Sequence, residues 1–243
     1  MATSVYRPTR VLHPMRRVFV FSVVTRLFHW INALTIFTLA VTGYVIGNPP
    51  AILSSHEASD GFWFGTVRYI HFIAAYIFLF NFVVRIYWMF KGNRFERWNN
   101  FIPTSKAFLK EMWDVIRIDV LLVKNKHLVS LGHNSLAGVS YLALFLLMIA
   151  QIITGFGLYA AMSDSWIAGL FTWVVPLFGT DALVRVWHHI FMWGFIIFTM
   201  VHVYLVFYHD YVEGRGEISS MFGGWKFVEN ECIDEKECTD FQR

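Results

Sequence analysis

Charge is scarce in this chain. Only 15% of its 243 residues are Asp, Glu, Lys or Arg, against about 25% in an ordinary soluble domain. That shortage excludes a conventional water-facing surface over most of the molecule. Cysteine is nearly absent: the two residues, Cys232 and Cys238, both lie in the polar C-terminal tail. There is no C-x-x-C-H, so covalent c-type haem attachment has no support. The two cysteines are expected to form neither a disulfide nor a metal site, because the tail is assigned to the reducing cytoplasm. Residues 1–18 carry arginines and two prolines but no apolar core followed by a small-residue cleavage site, so no signal peptide is expected.

What is abundant is apolar and aromatic. The chain is 56% hydrophobic and 19% aromatic, with a mean hydropathy of +0.50. Lipid is therefore the expected solvent. Four apolar stretches, near 25–46, 67–90, 135–162 and 184–208, are long enough to cross a hydrocarbon core, which takes about 20 helical residues. The third holds no charge, and none of the four holds Asp or Glu. The expected class is all-α, an integral membrane four-helix bundle. Its membrane domain spans 1–208, and an acidic tail occupies 209–243.

Basic residues orient the bundle. Residues 1–26 hold five arginines and no acid, and 91–133 hold eight Lys/Arg against four Asp/Glu. The 48–67 loop has none against two, and 162–187 has one against two. The positive-inside rule places both termini and the 91–133 connection in the cytoplasm. The tail after His209 has nine acids against four bases and reads as a mobile, solvated segment. Within 91–133, Leu109, Met112, Trp113, Ile116, Val120 and Val123 recur at steps of three or four. That spacing predicts an amphipathic helix on the cytoplasmic membrane surface. A helix packed on the bundle fits the same pattern.

Of the five histidines inside the spans, His29, His71, His188 and His202 stand out. Polar side chains at membrane depth are costly and face a cavity, a partner or a cofactor. By depth, His71 and His188 fall near the periplasm, and His29 and His202 near the cytoplasm. His188 and His202 are 14 residues apart, so they project within about 40° of each other. His189 points roughly 140° away from His202, which makes His188 the better ligand of the adjacent pair. His209 shares the face but sits at the membrane edge, where it reads as a surface residue. Two imidazole pairs at two depths suit two haems, each held across a helical bundle. Zinc would need four ligands at one point.

Smaller signs accompany the histidines. Gly43, in Val41-Thr42-Gly43-Tyr44, and Gly155, in Ile153-Thr154-Gly155-Phe156, fall at periplasmic depth, where a missing side chain would admit a haem edge. Ordinary small-residue helix packing explains each glycine equally well. Arg26, Arg68 and Arg185 each precede a candidate ligand by three residues, one helical turn nearer the membrane boundary. Arginine pairs well with carboxylates such as haem propionates, although a single arginine there would ordinarily be snorkelling. Arg85 lies 14 residues after His71, at the cytoplasmic end of the second span, placed to snorkel or to serve the cytoplasmic haem.

Taken in order, Arg26-Leu-Phe-His29-Trp30, Thr42-Gly43-Tyr44-Val-Ile-Gly47, Arg68-Tyr-Ile-His71-Phe72, Arg85-Ile-Tyr-Trp88, Gly92-Asn93, Gly132-His133-Asn134, Ile153-Thr-Gly-Phe156, Trp187-His188 and His202-Val-Tyr204 resemble the b-type cytochrome subunit of membrane-bound nickel–iron hydrogenases. The resemblance covers nearly all of 23–228. Cytochrome subunits of formate dehydrogenases share the same plan, and that enzyme is the alternative electron donor. The resemblance implies that His29, His71, His188 and His202 ligate two b haems in a bacterial inner-membrane protein. It implies hydrogenase small (iron–sulfur) and large (nickel–iron) subunits as partners, and quinone as electron acceptor. The chain would then be an electron-transfer subunit, not the hydrogen-splitting catalyst. His133 becomes a candidate for structure or quinone contact, not for iron. A histidine-based proton transporter, the alternative of another class, would be expected to carry acids inside the spans.

Overall fold

A computed structural model describes residues 15–50, 61–92, 135–213 and 216–229 of the protein. The expected helix within 91–133 falls almost entirely outside the described residues, as do His133, Cys232 and Cys238. In chain order the elements are β1 (Met15–Phe19), α1 (Val23–Gly47), α2 (Trp63–Lys91) and α3 (Ser135–Ala160). Two short helices follow, α4 (Trp166–Gly169) and α5 (Val174–Phe178), then α6 (Asp181–Glu213), α7 (Glu217–Gly223) and β2 (Trp225–Glu229).

The long helices begin and end where local chemistry dictates. Ser22 opens α1 by accepting the Thr25 amide at 3.3 Å, and Pro49-Pro50 lie just beyond its end, where no further helical amide can be supplied. The Thr180 hydroxyl accepts the Leu183 amide at 3.2 Å at the start of α6. Four segments, Val23–Gly47, Trp63–Lys91, Gly138–Ala160 and Asp181–Tyr208, are long and apolar enough to cross a membrane. They match the four expected spans, with α6 running on past 208 to Glu213.

The bundle is apolar on its outer surface and buries several polar side chains. Leu34, Phe37, Phe80 and Met200 are each about two-thirds exposed, while Thr35, Thr42, Asn81, Arg85 and Thr154 are buried. Water would not tolerate that distribution, but lipid favours it. Helix α1 packs along α2 and α3 along α6, and the two pairs touch each other far less closely. Phe78 and Phe82 of α2, Met148, Ile152 and Phe156 of α3, and Phe195 of α6 form the buried cluster that joins them.

The all-α expectation needs one correction. Strands β1 and β2 pair antiparallel, from Met15 opposite Glu229 to Phe19 opposite Trp225. The expected mobile tail is corrected with it for the described residues. Lys226 is 7% exposed and its Nζ donates to Glu217 Oε1 at 2.8 Å. Trp30 Nε1 donates to the Met221 carbonyl at 3.1 Å, and the Trp30 and Phe222 rings lie 4.8 Å apart. Gly224 makes the turn between α7 and β2 at φ +84°, and a Cβ there would meet the Phe21 carbonyl at 2.7 Å. The net acidity of the tail concealed this, because one buried ion pair and one tight turn outweigh an average over composition.

Candidate functional site

Side-chain contacts fix the depth of each candidate residue. Down the α1–α2 pair, Thr42 meets His71, Asn32 meets Asn81, and Phe28 meets Arg85. In the α3–α6 pair, Thr154 meets His188, and Leu147 lies beside Gly194. The four helices therefore present two layers. The upper layer, at the end carrying α4 and α5, contains Gly43, His71, Gly155 and His188. The lower layer, at the end carrying the β1–β2 sheet, contains His29, Arg85, Tyr141 and His202. Fourteen residues of helix, roughly 21 Å of axial rise, separate them. Midway, the Phe78 and Phe195 rings meet edge to face at 6.3 Å. Each lies seven residues, and so nearly the same helical phase, from a histidine of the upper layer.

In the upper layer the hydrogen bonds favour one tautomer. Thr42 Oγ1 donates to the Thr38 carbonyl at 2.6 Å, and Thr154 Oγ1 donates to the Ala150 carbonyl at 2.7 Å. Each hydroxyl has one proton, and it is already committed. Toward the histidines these oxygens can only accept. His71 Nδ1 lies 2.8 Å from Thr42 Oγ1 and His188 Nδ1 lies 2.9 Å from Thr154 Oγ1. That arrangement favours the tautomer with the proton on Nδ1 and a lone pair on Nε2 in both imidazoles. Gln151 Nε2 lies 3.3 Å from His188 Nε2, and Gln151 Oε1 is buried with no hydrogen-bond partner among the described residues.

Glycine completes each cradle. A Cβ on Gly43 would lie 3.3 Å from His71 Cε1, and one on Gly155 would lie 2.9 Å from His188 Cε1. In both cases the Cε1–Nδ1 edge of the ring lies closest to the glycine. His189 lies apart, over Gly47, whose Cβ would come within 2.4 Å of His189 Cε1.

The lower layer is built differently. The His29 and His202 rings face each other across the seam with centroids 6.3 Å apart. His202 stacks on Phe198 at 5.6 Å. His29 Nδ1 is buried with no hydrogen-bond partner among the described residues. Beside them, Arg85 Nε donates to the Tyr141 hydroxyl, and Asn81 Nδ2 donates to the Phe28 carbonyl at 3.1 Å. Paired imidazoles, an orphaned ring nitrogen and glycine cradles fit a porphyrin with two histidine ligands.

The three arginines sit at helix ends, as expected, with local partners. Arg26 Nη1 donates to the Phe222 carbonyl, and its Nε is buried without a partner among the described residues. Arg68 Nη2 donates to Met162 Sδ at 3.0 Å. Arg185 is exposed and pairs with Asp181 at 3.5 Å. Sequence reasoning passed over Thr42, Thr154, Gln151 and Asn81. The signal available for the threonines was the Thr-Gly dipeptide, which occurs once in α1 and once in α3 at the same depth.

Residues 20–224 match the family described as prokaryotic cytochrome b561. The chain is 39% identical over 221 residues to a protein of Azotobacter vinelandii, covering 89% of this chain and 91% of that one. It is 37% identical over 216 residues to one of Cupriavidus necator, covering 87% and 88%. Both relatives are named probable Ni/Fe-hydrogenase B-type cytochrome subunit. An Escherichia coli K12 protein, named probable Ni/Fe-hydrogenase 1 B-type cytochrome subunit, is 35% identical over 214 residues, covering 86% and 90%.

Proposed function

Because the chain belongs to the prokaryotic cytochrome b561 family, and so carries b-type haem in a membrane, we propose that it holds two haems and links a nickel–iron hydrogenase to the quinone pool. One haem lies between His71 and His188, the other between His29 and His202. The observation that carries this reading is the pair of histidine layers on one bundle seam. The names of the relatives support the partner.

Bound haem supplies a one-electron iron couple. The rest is the work of the chain. His71 and His188 offer Nε2 lone pairs, because Thr42 and Thr154 hold their Nδ1 protons. Ligation at His188 requires the Gln151 amide to release Nε2. Gly43 and Gly155 let the porphyrin edge approach backbone. The buried Phe78–Phe195 layer keeps water out of the seam between the two levels. Arg26, Arg68 and Arg185 stand one turn from three of the four ligands, within reach of propionates. The bundle is oriented with β1 and the tail in the cytoplasm, because the flanking arginines are concentrated there. Electrons enter the upper layer from the iron–sulfur small subunit on the periplasmic side and leave the lower layer to quinone in the inner membrane.

The test uses the purified complex with its hydrogenase in lipid vesicles. Hydrogen should reduce the cytochrome α-band, and added quinone should reoxidise it. Haem that stays oxidised under hydrogen with an active hydrogenase bound would assign the chain to a different donor, such as formate dehydrogenase.

A further inference from the structure

The two Thr-Gly dipeptides occupy equivalent places in the two helix pairs. In α1–α2, Thr42 and Gly43 grip His71. In α3–α6, Thr154 and Gly155 grip His188. Both threonines are buried, Thr42 at 9% and Thr154 at 2% exposure. Each donates its hydroxyl proton to a carbonyl four residues back, a common habit of hydroxyls in helices. Here it has a further effect. It turns the oxygen into an obligatory acceptor, aimed at one nitrogen of one imidazole. The glycine that follows leaves room for the Cε1 side of the same ring, where a Cβ would lie 3.3 Å from His71 and 2.9 Å from His188. Hydroxyl and backbone together set the proton, the tilt and the free nitrogen of each histidine. The lower layer shows no such arrangement at His29, whose Nδ1 is buried without a partner among the described residues.

We propose that Thr42 and Thr154 are positioning residues that fix the Nδ1-protonated tautomer of the two upper-layer ligands and thereby set that haem apart from the other. The inference rests on the dihaem reading above. An acceptor on the distal nitrogen of a ligating imidazole fixes its orientation and raises its basicity. A more basic ligand favours ferric iron, so the two hydroxyls lower the potential of the upper haem. The lower haem lacks this influence at His29. The difference favours electron movement from the upper layer to the lower, the direction the proposed function requires.

The experiment compares the parent with Thr42→Val and Thr154→Val, which keep the shape and remove the hydroxyl. Thr42→Ser and Thr154→Ser restore it. Each protein is purified in detergent. Haem per chain, the midpoint potential of each haem, and the low-spin ferric electron paramagnetic resonance signals are measured. The valine variants should raise one potential and shift one ferric signal, leaving the other haem unchanged. The upper-haem affinity should fall about tenfold or more. The serine variants should return both readouts to parent values, and they carry the test should a valine variant fail to fold. Unchanged potentials and signals in both valine variants would overturn the proposal. So would equal shifts in both haems, or serine variants as altered as valine ones. A parent that binds fewer than two haems would instead contradict the dihaem reading, so the two failures are distinguishable.

Discussion

At the scale of single residues, the histidines were legible and their supports were not. Depth and helical phase singled out His29, His71, His188 and His202, because span boundaries and the 100° step are both readable in sequence. The same arithmetic separated His188 from His189, and in the structure they do face different neighbours, Thr154 and Gly47. Thr42 and Thr154 escaped notice because a threonine in a membrane helix usually satisfies itself on its own backbone. Only the following glycine, Gly43 or Gly155, marks these two in the sequence. His71→Ala should leave the protein with the lower-layer haem alone, whereas His189→Ala should retain both. Haem content and difference spectra of the purified variants check this. Parental haem content in His71→Ala, or loss of a haem in His189→Ala, would reverse the ligand assignment.

At the scale of elements, the four long helices followed directly from apolar run length, since a buried backbone in lipid has few alternatives to a helix. The β1–β2 ladder did not. Each strand has five residues, and β1 ends within Val18-Phe19-Val20-Phe21, which reads as the approach to a span. Pairing between the two ends of a chain leaves no local trace. Gly224 is the pivot of this cap. Gly224→Ala combines a left-handed backbone with a clash against the Phe21 carbonyl, and should cost about 1–3 kcal/mol. The cap should open, exposing Lys226 to trypsin faster than in the parent while haem content stays the same. Cleavage at the parental rate would show that the turn does not govern the cap.

At the scale of the whole molecule, four crossing helices return the chain to its starting side, and the β1–β2 pairing sets the two ends of the described chain together. Which side that is follows from arginine distribution alone, so it deserves a direct test. The sequence supplies its own probe, since Cys232 and Cys238 are the only cysteines. A membrane-impermeant maleimide should label them in inverted inner-membrane vesicles and not in intact spheroplasts. Labelling in spheroplasts would invert the bundle and move the proposed hydrogenase contact to the opposite end.

The central claim is that two histidine layers on one seam hold two haems. The most direct measurement is a pyridine-haemochrome determination on the purified, folded chain against its protein concentration. About two b-type haems per chain are expected, falling to about one in His71→Ala or His29→Ala and to none in the double variant. A parental ratio of one would contradict the two-layer reading. Two haems that survive both substitutions would show that these histidines are not the ligands.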